Sequence, residues 1–392
     1  MVIGSGHAAA PLRLYNAAEV RERHGAAELD LVVGALGEGD PLADAVIAEF
    51  AEHGRAARSA LATGLAEGLD ALADPPPAVA ALLRASEDAI AAADTAQLER
   101  GDLANLGVDP FWSRIAFALG SLVHTYSAPG IARVLIGTGR LTDGAARRLA
   151  ETGLWRTNAI LPGGLLRGAP GYTDTVQVRL LHARVRANAL ATGWDTGAWG
   201  VPINAVDAAR TWLDFTVVPF RALERVGVTL TAEEEADLYR YWRHVADLVG
   251  VDRRFSARVH DHASADALLT LVDAANDPPD DTARALVRAL LDALAVPMGK
   301  ALALPDPSVR TLLAALLRLM QGDAAADALG IEAADAAPFV PLFAMGNAGT
   351  RRWQRASPES WDAALAEYTR YRRAEYQLPG TEYRSAAAGS DG

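Results

Sequence analysis

The chain has 392 residues, 51% of them apolar, a formal net charge of −12 and no cysteine. That length and apolar fraction support a sizeable core, and the negative charge argues against a nucleic-acid partner, which would favour a basic surface. The lack of cysteine excludes disulfides, zinc–thiolate sites, cysteine-held iron–sulfur clusters, thiolate-ligated haem and covalent haem attachment through C-x-x-C-H.

Alanine, leucine, arginine and glutamate dominate, β-branched runs are short, and the composition predicts an all-α fold. The first residues, MVIGSGHAAAPLRLYN, lack a basic stretch leading into a long apolar run, so they do not read as a signal peptide, and a cytoplasmic location is expected. Residues 1–38 read as an irregular N-terminal segment, 39–378 as one all-helical domain and 379–392 as a disordered tail. Asp40-Pro41 reads as an N-cap followed by proline at the first helical position, opening a helix with Leu42, Val46, Ile47 and Phe50 at helical spacing. Pro75-Pro76-Pro77 closes that region, and an alanine-rich helix follows to about Ala93. Phe111 to Tyr126 is an apolar helix stopped by Ser127-Ala128-Pro129-Gly130. Together with Ile131 to Gly137 it reads as two buried helices and not as a transmembrane segment.

Leu141 to Thr152 predicts a helix capped by Thr142 or Asp143, and Gly153 to Tyr172 a glycine-rich loop. The next helix carries RLLHARVR, then GWD, WG and PIN (193–204). Asn204 is a cap with Asp207 at N3, Pro219 kinks the helix that follows, and Thr231 to Glu234 forms a capping box for a helix through Val249. Pro278-Pro279 separates a last helical region, and Ser357-Pro358 starts the final helix.

Two clusters carry potential chemistry. Arg179, His182 and Arg186 stand at i, i+3 and i+7, on one helix face. A histidine on an apolar helix is commonly a hydrogen-bonded core residue. Two arginines beside it point to an anion, because burying them unpaired is costly. An iron porphyrin would satisfy both, with nitrogen on the metal and guanidinium groups on the propionates. Arg148, Glu151 and Thr152 share a face of the preceding helix. Alone they read as a solvated Arg–Glu pair worth a few tenths of a kcal/mol.

Jointly the clusters resemble the rubber oxygenase (latex clearing protein) family and related haem oxygenases of secondary metabolism. The resemblance spans roughly 39–253. It rests on GTGRL (137–141), R-x-x-x-T (148–152), the histidine thirty residues after that threonine, and R-x-x-H-x-x-x-R (179–186) with the motifs following it. It implies a globin-like helical core holding haem b, with His182 as the metal ligand and Arg179 and Arg186 as cofactor-binding residues. It makes Arg148 and Thr152 distal catalytic residues and implies an oxygenase that uses O2 on a hydrophobic substrate. Two departures stand out. The lysine that rubber-cleaving members carry before the threonine is Glu151 here, which predicts water or nothing at the sixth iron position. The place of their proposed base holds Ala132, leaving Glu151 as its replacement. These changes favour a small hydrophobic molecule over a polymer. Dehydrogenation or desaturation of a small natural-product intermediate is the alternative activity. A helical haem- or lipid-binding protein without turnover, or a scaffold in which the three residues pair with carboxylates, are the alternatives without chemistry.

The remaining candidates read as structural. His260-Asp261-His262 lacks a third metal ligand and reads as a hydrophilic loop. His124 packs in the core or reaches the distal pocket. Trp194 and Trp199 anchor packing, and Glu233 to Glu235 complement a helix N-terminus.

Overall fold

The computed structural model describes residues 10–137 and 145–375, and every regular element among them is helical. The N-terminal half contains α1 (Ala17–His24), α2 (Ala26–Leu36), α3 (Pro41–Glu67), α4 (Pro77–Ala91), α5 (Thr95–Leu106), α6 (Pro110–Ser127), α7 (Pro129–Gly137), α8 (Ala145–Ile160) and α9 (Pro170–Ala191). There follow α10 (Ala205–Asp214), α11 (Val217–Arg225), α12 (Ala232–Val249), α13 (His262–Ala274), α14 (Asp281–Leu302), α15 (Asp306–Gln321), α16 (Val340–Gln354) and α17 (Pro358–Glu375), with short helical turns between some of them. Positions 138–141 of the GTGRL motif, the caps Thr142 and Asp143, and the tail 379–392 lie outside the described residues.

Local signals set many of the boundaries. The Asp40 carboxylate accepts from the Ala43 N–H at 3.3 Å, with Pro41 at N1. Thr231 and Glu234 make both hydrogen bonds of a capping box, and Asn204 accepts from the Asp207 N–H at 2.9 Å. Three boundaries differ from the sequence expectation. Residues 17–36, expected to be irregular, form α1 and α2. Neither has a side-chain cap, but Leu29, Val32 and Leu36 are buried three and four residues apart, so tertiary burial organises the segment. The helix bearing Arg148 continues past Thr152 to Ile160, with Gly153 buried inside it. The helix expected to kink at Pro219 breaks instead at Phe215-Thr216, leaving the proline in the first turn of α11, where its missing N–H costs nothing.

Close backbone approach positions the centre. A Cβ on Gly171 would lie 2.4 Å from the Asn158 carbonyl oxygen and 2.5 Å from Ala159 Cα, so only glycine lets α9 start this close to the end of α8. From there α9 packs against α3, α8 and α12, and α14 covers α6, α7 and α8. Within α6 the turns over Ala116–Leu122 widen to π geometry. The Gln321 amide donates to the Leu119 and Gly120 carbonyls at 2.6 and 2.7 Å, satisfying groups the wide turn releases. The chain bends 95° between α6 and α7, and no single described helix is long and apolar enough to cross a membrane.

Candidate functional site

A cavity of about 530 Å³ lies between α6, α7, α8, α9, α10 and α12, within the range of small-molecule sites. Its wall is mostly apolar, including Leu122, Val134, Trp155, Leu181, Phe215 and Trp242. His182, Arg148, Glu151 and Thr152 all contribute to it.

His182 projects from the middle of α9 and has no hydrogen-bond partner among the described residues. Burial, reinforced by the nearby Arg186 charge, pushes its pKa down to about 4 against the opposing pull of Asp40. The imidazole is therefore neutral near pH 7, with its lone pair available.

Arg179 and Arg186 are not on the cavity wall. Arg179 donates to Asp40 through Nε at 2.5 Å and Nη2 at 2.9 Å. Arg186 donates through Nε to both Asp44 oxygens at 2.9 and 3.1 Å, and through Nη1 to the Ile203 carbonyl at 2.8 Å. The two arginines expected to bind a cofactor are thus each paired with a carboxylate behind the wall. The anions that make their burial tolerable are carboxylates of α3. Helix geometry gives the reason: at about 100° per residue, Val178, Leu181 and Val185 face the cavity on one side of His182, and the arginines lie on the other, against α3. The stripe seen in the sequence is the border between two environments.

On α8 the Glu151 carboxylate accepts from Arg147 Nε at 2.6 Å. The Thr152 hydroxyl donates to the Arg148 carbonyl at 2.7 Å, so its proton is committed to its own helix. The Arg148 guanidinium hydrogen-bonds the buried Tyr126 phenol, whose pKa burial raises and Arg148 partly offsets. Ala132, where the expected base is missing, is buried in α7 and is not part of the cavity wall.

His124 does not reach the cavity either. It sits behind the wall in an ionic cluster: Nδ1 lies 2.7 Å from Asp214 Oδ1, and Nε2 3.4 Å from Asp273 Oδ2. Arg210 binds Asp273 through Nε at 2.7 Å and the His124 carbonyl through Nη1 at 2.9 Å. Burial and Arg210 oppose a charged imidazole, but Asp273 and Asp214 outweigh them and lift its pKa to about 9. Its neighbour Thr125 does line the cavity.

Sequence reasoning did not find Tyr126, Thr125, Arg184, Asp207 or Ile203, all on the wall. Asp207 is held by Arg13 at 2.8 and 3.1 Å from the N-terminal segment. Ile203 has φ 52°, the left-handed region that a β-branched residue rarely occupies. Its neighbours are pinned by Val201 N–H to Leu36 O and Ala205 N–H to Glu38 O, at 2.8 and 2.9 Å. The PIN motif carried the signal, as an isoleucine just before a helix cap. Trp194 and Trp199 do not line the cavity: the Trp194 indole donates to Gly200 O at 2.9 Å, and Arg133 lies over the Trp199 ring at 4.5 Å. Asp261 is not in a loop but caps α13, and the His262 Nδ1 lies 2.6 Å from the Tyr239 hydroxyl. Among the described residues no three His, Asp or Glu side chains are disposed to hold a metal ion.

A family model and a solved structure both match the chain, the first giving the family and the second the fold. The family model described as "ER-bound oxygenase mpaB/B'/Rubber oxygenase, catalytic domain" matches residues 111–371. A solved structure of latex clearing protein LCP in the closed state superposes with a TM-score of 0.66 at 18% identity. The match covers 86% of this chain and 91% of that one, and it speaks to the all-α fold. No curated protein matches the chain.

Proposed function

This chain belongs to the family of catalytic domains shared by the ER-bound oxygenase mpaB/B' and rubber oxygenase, and on that premise we propose that it is a haem b-dependent oxygenase or oxidase that uses O2 on a small hydrophobic substrate. The observation that carries the reading is His182, a neutral imidazole without a hydrogen-bond partner on the wall of a mainly apolar cavity. One histidine suffices, because the porphyrin supplies the other nitrogens, and the helices around the cavity then act as a globin-like core. Bound haem would supply an iron centre able to bind O2.

The chain's own residues divide the remaining work. Arg184 lines the cavity and has no ion-pair partner among the described residues, so we assign it a propionate-binding role beside that of Arg179 and Arg186, which stand next to His182 on α9. Arg148, held beside Tyr126, sets a fixed positive charge where negative charge develops on oxygen. Thr152 presents its hydroxyl oxygen as an acceptor. Glu151 takes the proton-accepting role left open by Ala132, and full activity of a haem-loaded Glu151→Gln variant would remove it from that role.

The deciding experiment is the absorption spectrum of protein from haem-supplemented cells beside His182→Ala. A strong Soret band with near-stoichiometric haem, lost or shifted in the variant, is expected. A protein that stays colourless through haem titration overturns the reading and leaves a helical binding or scaffold protein. Product mass then separates oxygen insertion from removal of two hydrogens.

A further inference from the structure

Helix α16 is amphipathic the wrong way round. The side chains it buries are polar: Asn347, Arg351 and Gln354. Asn347 donates to the Val226 carbonyl at 2.7 Å and Gln354 to the Gly107 carbonyl at 3.3 Å, while Arg351 Nη2 binds Glu234 of α12 at 2.6 Å. The opposite face is apolar and open: Leu342 is 60% exposed, Met345 67% and Trp353 48%. With Gly346 and Gly349 they fall at i, i+3, i+4, i+7 and i+11, one stripe along the helix. Just before the helix Phe339 is 54% exposed. Its ring continues through Phe343 and Trp112 to the exposed Phe111, at centroid separations of 6.5, 5.0 and 5.2 Å. A helix ordinarily turns its apolar stripe inward, and a contiguous apolar patch left outside marks a contact surface.

We propose that this face is a homodimer interface, with α16 of one copy packed antiparallel against α16 of a second copy. The glycines separate this occupant from a lipid surface. A Cβ at Gly346 or Gly349 would meet no atom of the chain within 4 Å, and glycine weakens a helix interior, so nothing inside one copy offsets them. Lipid would be better served by any apolar side chain there. A second helix is served by their smallness, because interaxial distance follows the side chains at the contact. The spacing is self-complementary as well. About a two-fold axis between Asn347 and Ala348, Gly346 of each copy meets Gly349 of the other, and Leu342 meets Trp353. Charge agrees: the chain carries −12, yet no charged residue lies between Ala336 and Thr350, so copies that repel elsewhere can meet here. The patch exposes on the order of 600 Å² per copy, close to the roughly 800 Å² of a standard interface. The dimer would brace the cavity from behind, since Arg351 holds α12 and Phe343 packs on Trp112 of α6, and both helices contribute to the cavity wall. The pairing does not depend on what the cavity binds.

Sedimentation velocity of the full chain over a concentration series tests it. A dimer is expected at about 10 µM. Met345→Glu, which sets a charge in the middle of the face, gives a monomer. Gly346→Ala weakens association about tenfold or more, although the added methyl favours the helix and touches nothing within one copy. Both variants keep the wild-type far-UV circular dichroism, so loss of the dimer is not loss of the fold. A wild type that stays monomeric at every concentration overturns the pairing. Flotation of that monomer with phosphatidylcholine vesicles, abolished by Met345→Glu, would then assign the face to lipid, and no flotation would assign it to a segment of its own chain. A dimer that survives both substitutions also overturns the pairing, by placing the interface elsewhere.

Discussion

His182 and His124 are both half-buried, one on α9 and one on α6, with only His182 on the cavity wall. Their chemical states are opposite. His124 faces two carboxylates and keeps its proton to about pH 9; His182 faces none in contact, has Arg186 nearby, and loses its proton above about pH 4. Burial is the leading influence on both, so the difference comes from what each ring touches. The charged ring anchors helices. The neutral ring has no structural partner, and that leaves its lone pair for a ligand.

The largest expected effect lies on the anchored side. Asp214→Asn strands Arg210 and His124 in the core and should cost about 3–5 kcal/mol in a urea melt. His182→Ala, which breaks no hydrogen bond, should cost far less in the same haem-free melt. Equal losses would erase the distinction between anchor and ligand. Asp40→Ala sharpens the comparison from the other face of α9. It strands the buried Arg179 and removes the carboxylate that supports the His182 proton, so it should cost about 3 kcal/mol. It should also move the His182 titration further down, read by imidazole NMR.

The ends of the clamp are testable through Ile203, whose carbonyl Arg186 holds. Ile203→Gly should be more stable than Ile203→Ala by about 1–2 kcal/mol, because alanine keeps the Cβ penalty of the left-handed conformation. The reverse order would mean that the backbone relaxes. The last tests are the pH dependences. The His124 pKa is raised on folding, so its contribution to stability is full below about pH 6.5 and fades as pH rises through about 9. The His182 pKa is lowered, so its contribution is present above about pH 6.5 and is lost as pH falls through about 4. Melts of wild type against each alanine variant across pH 4–10 measure both slopes.

Caps and turns were legible because their determinants are a few residues apart: Asp40 with Ala43, Thr231 with Glu234, Asn204 with Asp207. The run of α8 through Gly153 was not, since a glycine that serves close packing looks the same in sequence as one that ends a helix. The cavity wall gathers Arg148, Glu151, Thr152 and His182, whose helical spacings the sequence displays. It omits Arg179 and Arg186, because their carboxylates lie 139 and 142 residues away and leave no local trace. Thr125 and Asp214 escaped for the same reason, being 89 residues apart.

The wide turns of α6 carry a consequence for how the helix could be shortened. A π segment stores one surplus residue in a helix. Deleting one residue between Ala116 and Leu122 would let the turn close to α geometry while the turns beyond it keep their orientation, so Thr125 and Tyr126 would stay on the wall. The Leu119 and Gly120 carbonyls would return to the helix ladder and release the Gln321 amide. The surplus residue thus fastens α6 to α15 and leaves the cavity's side chains unchanged.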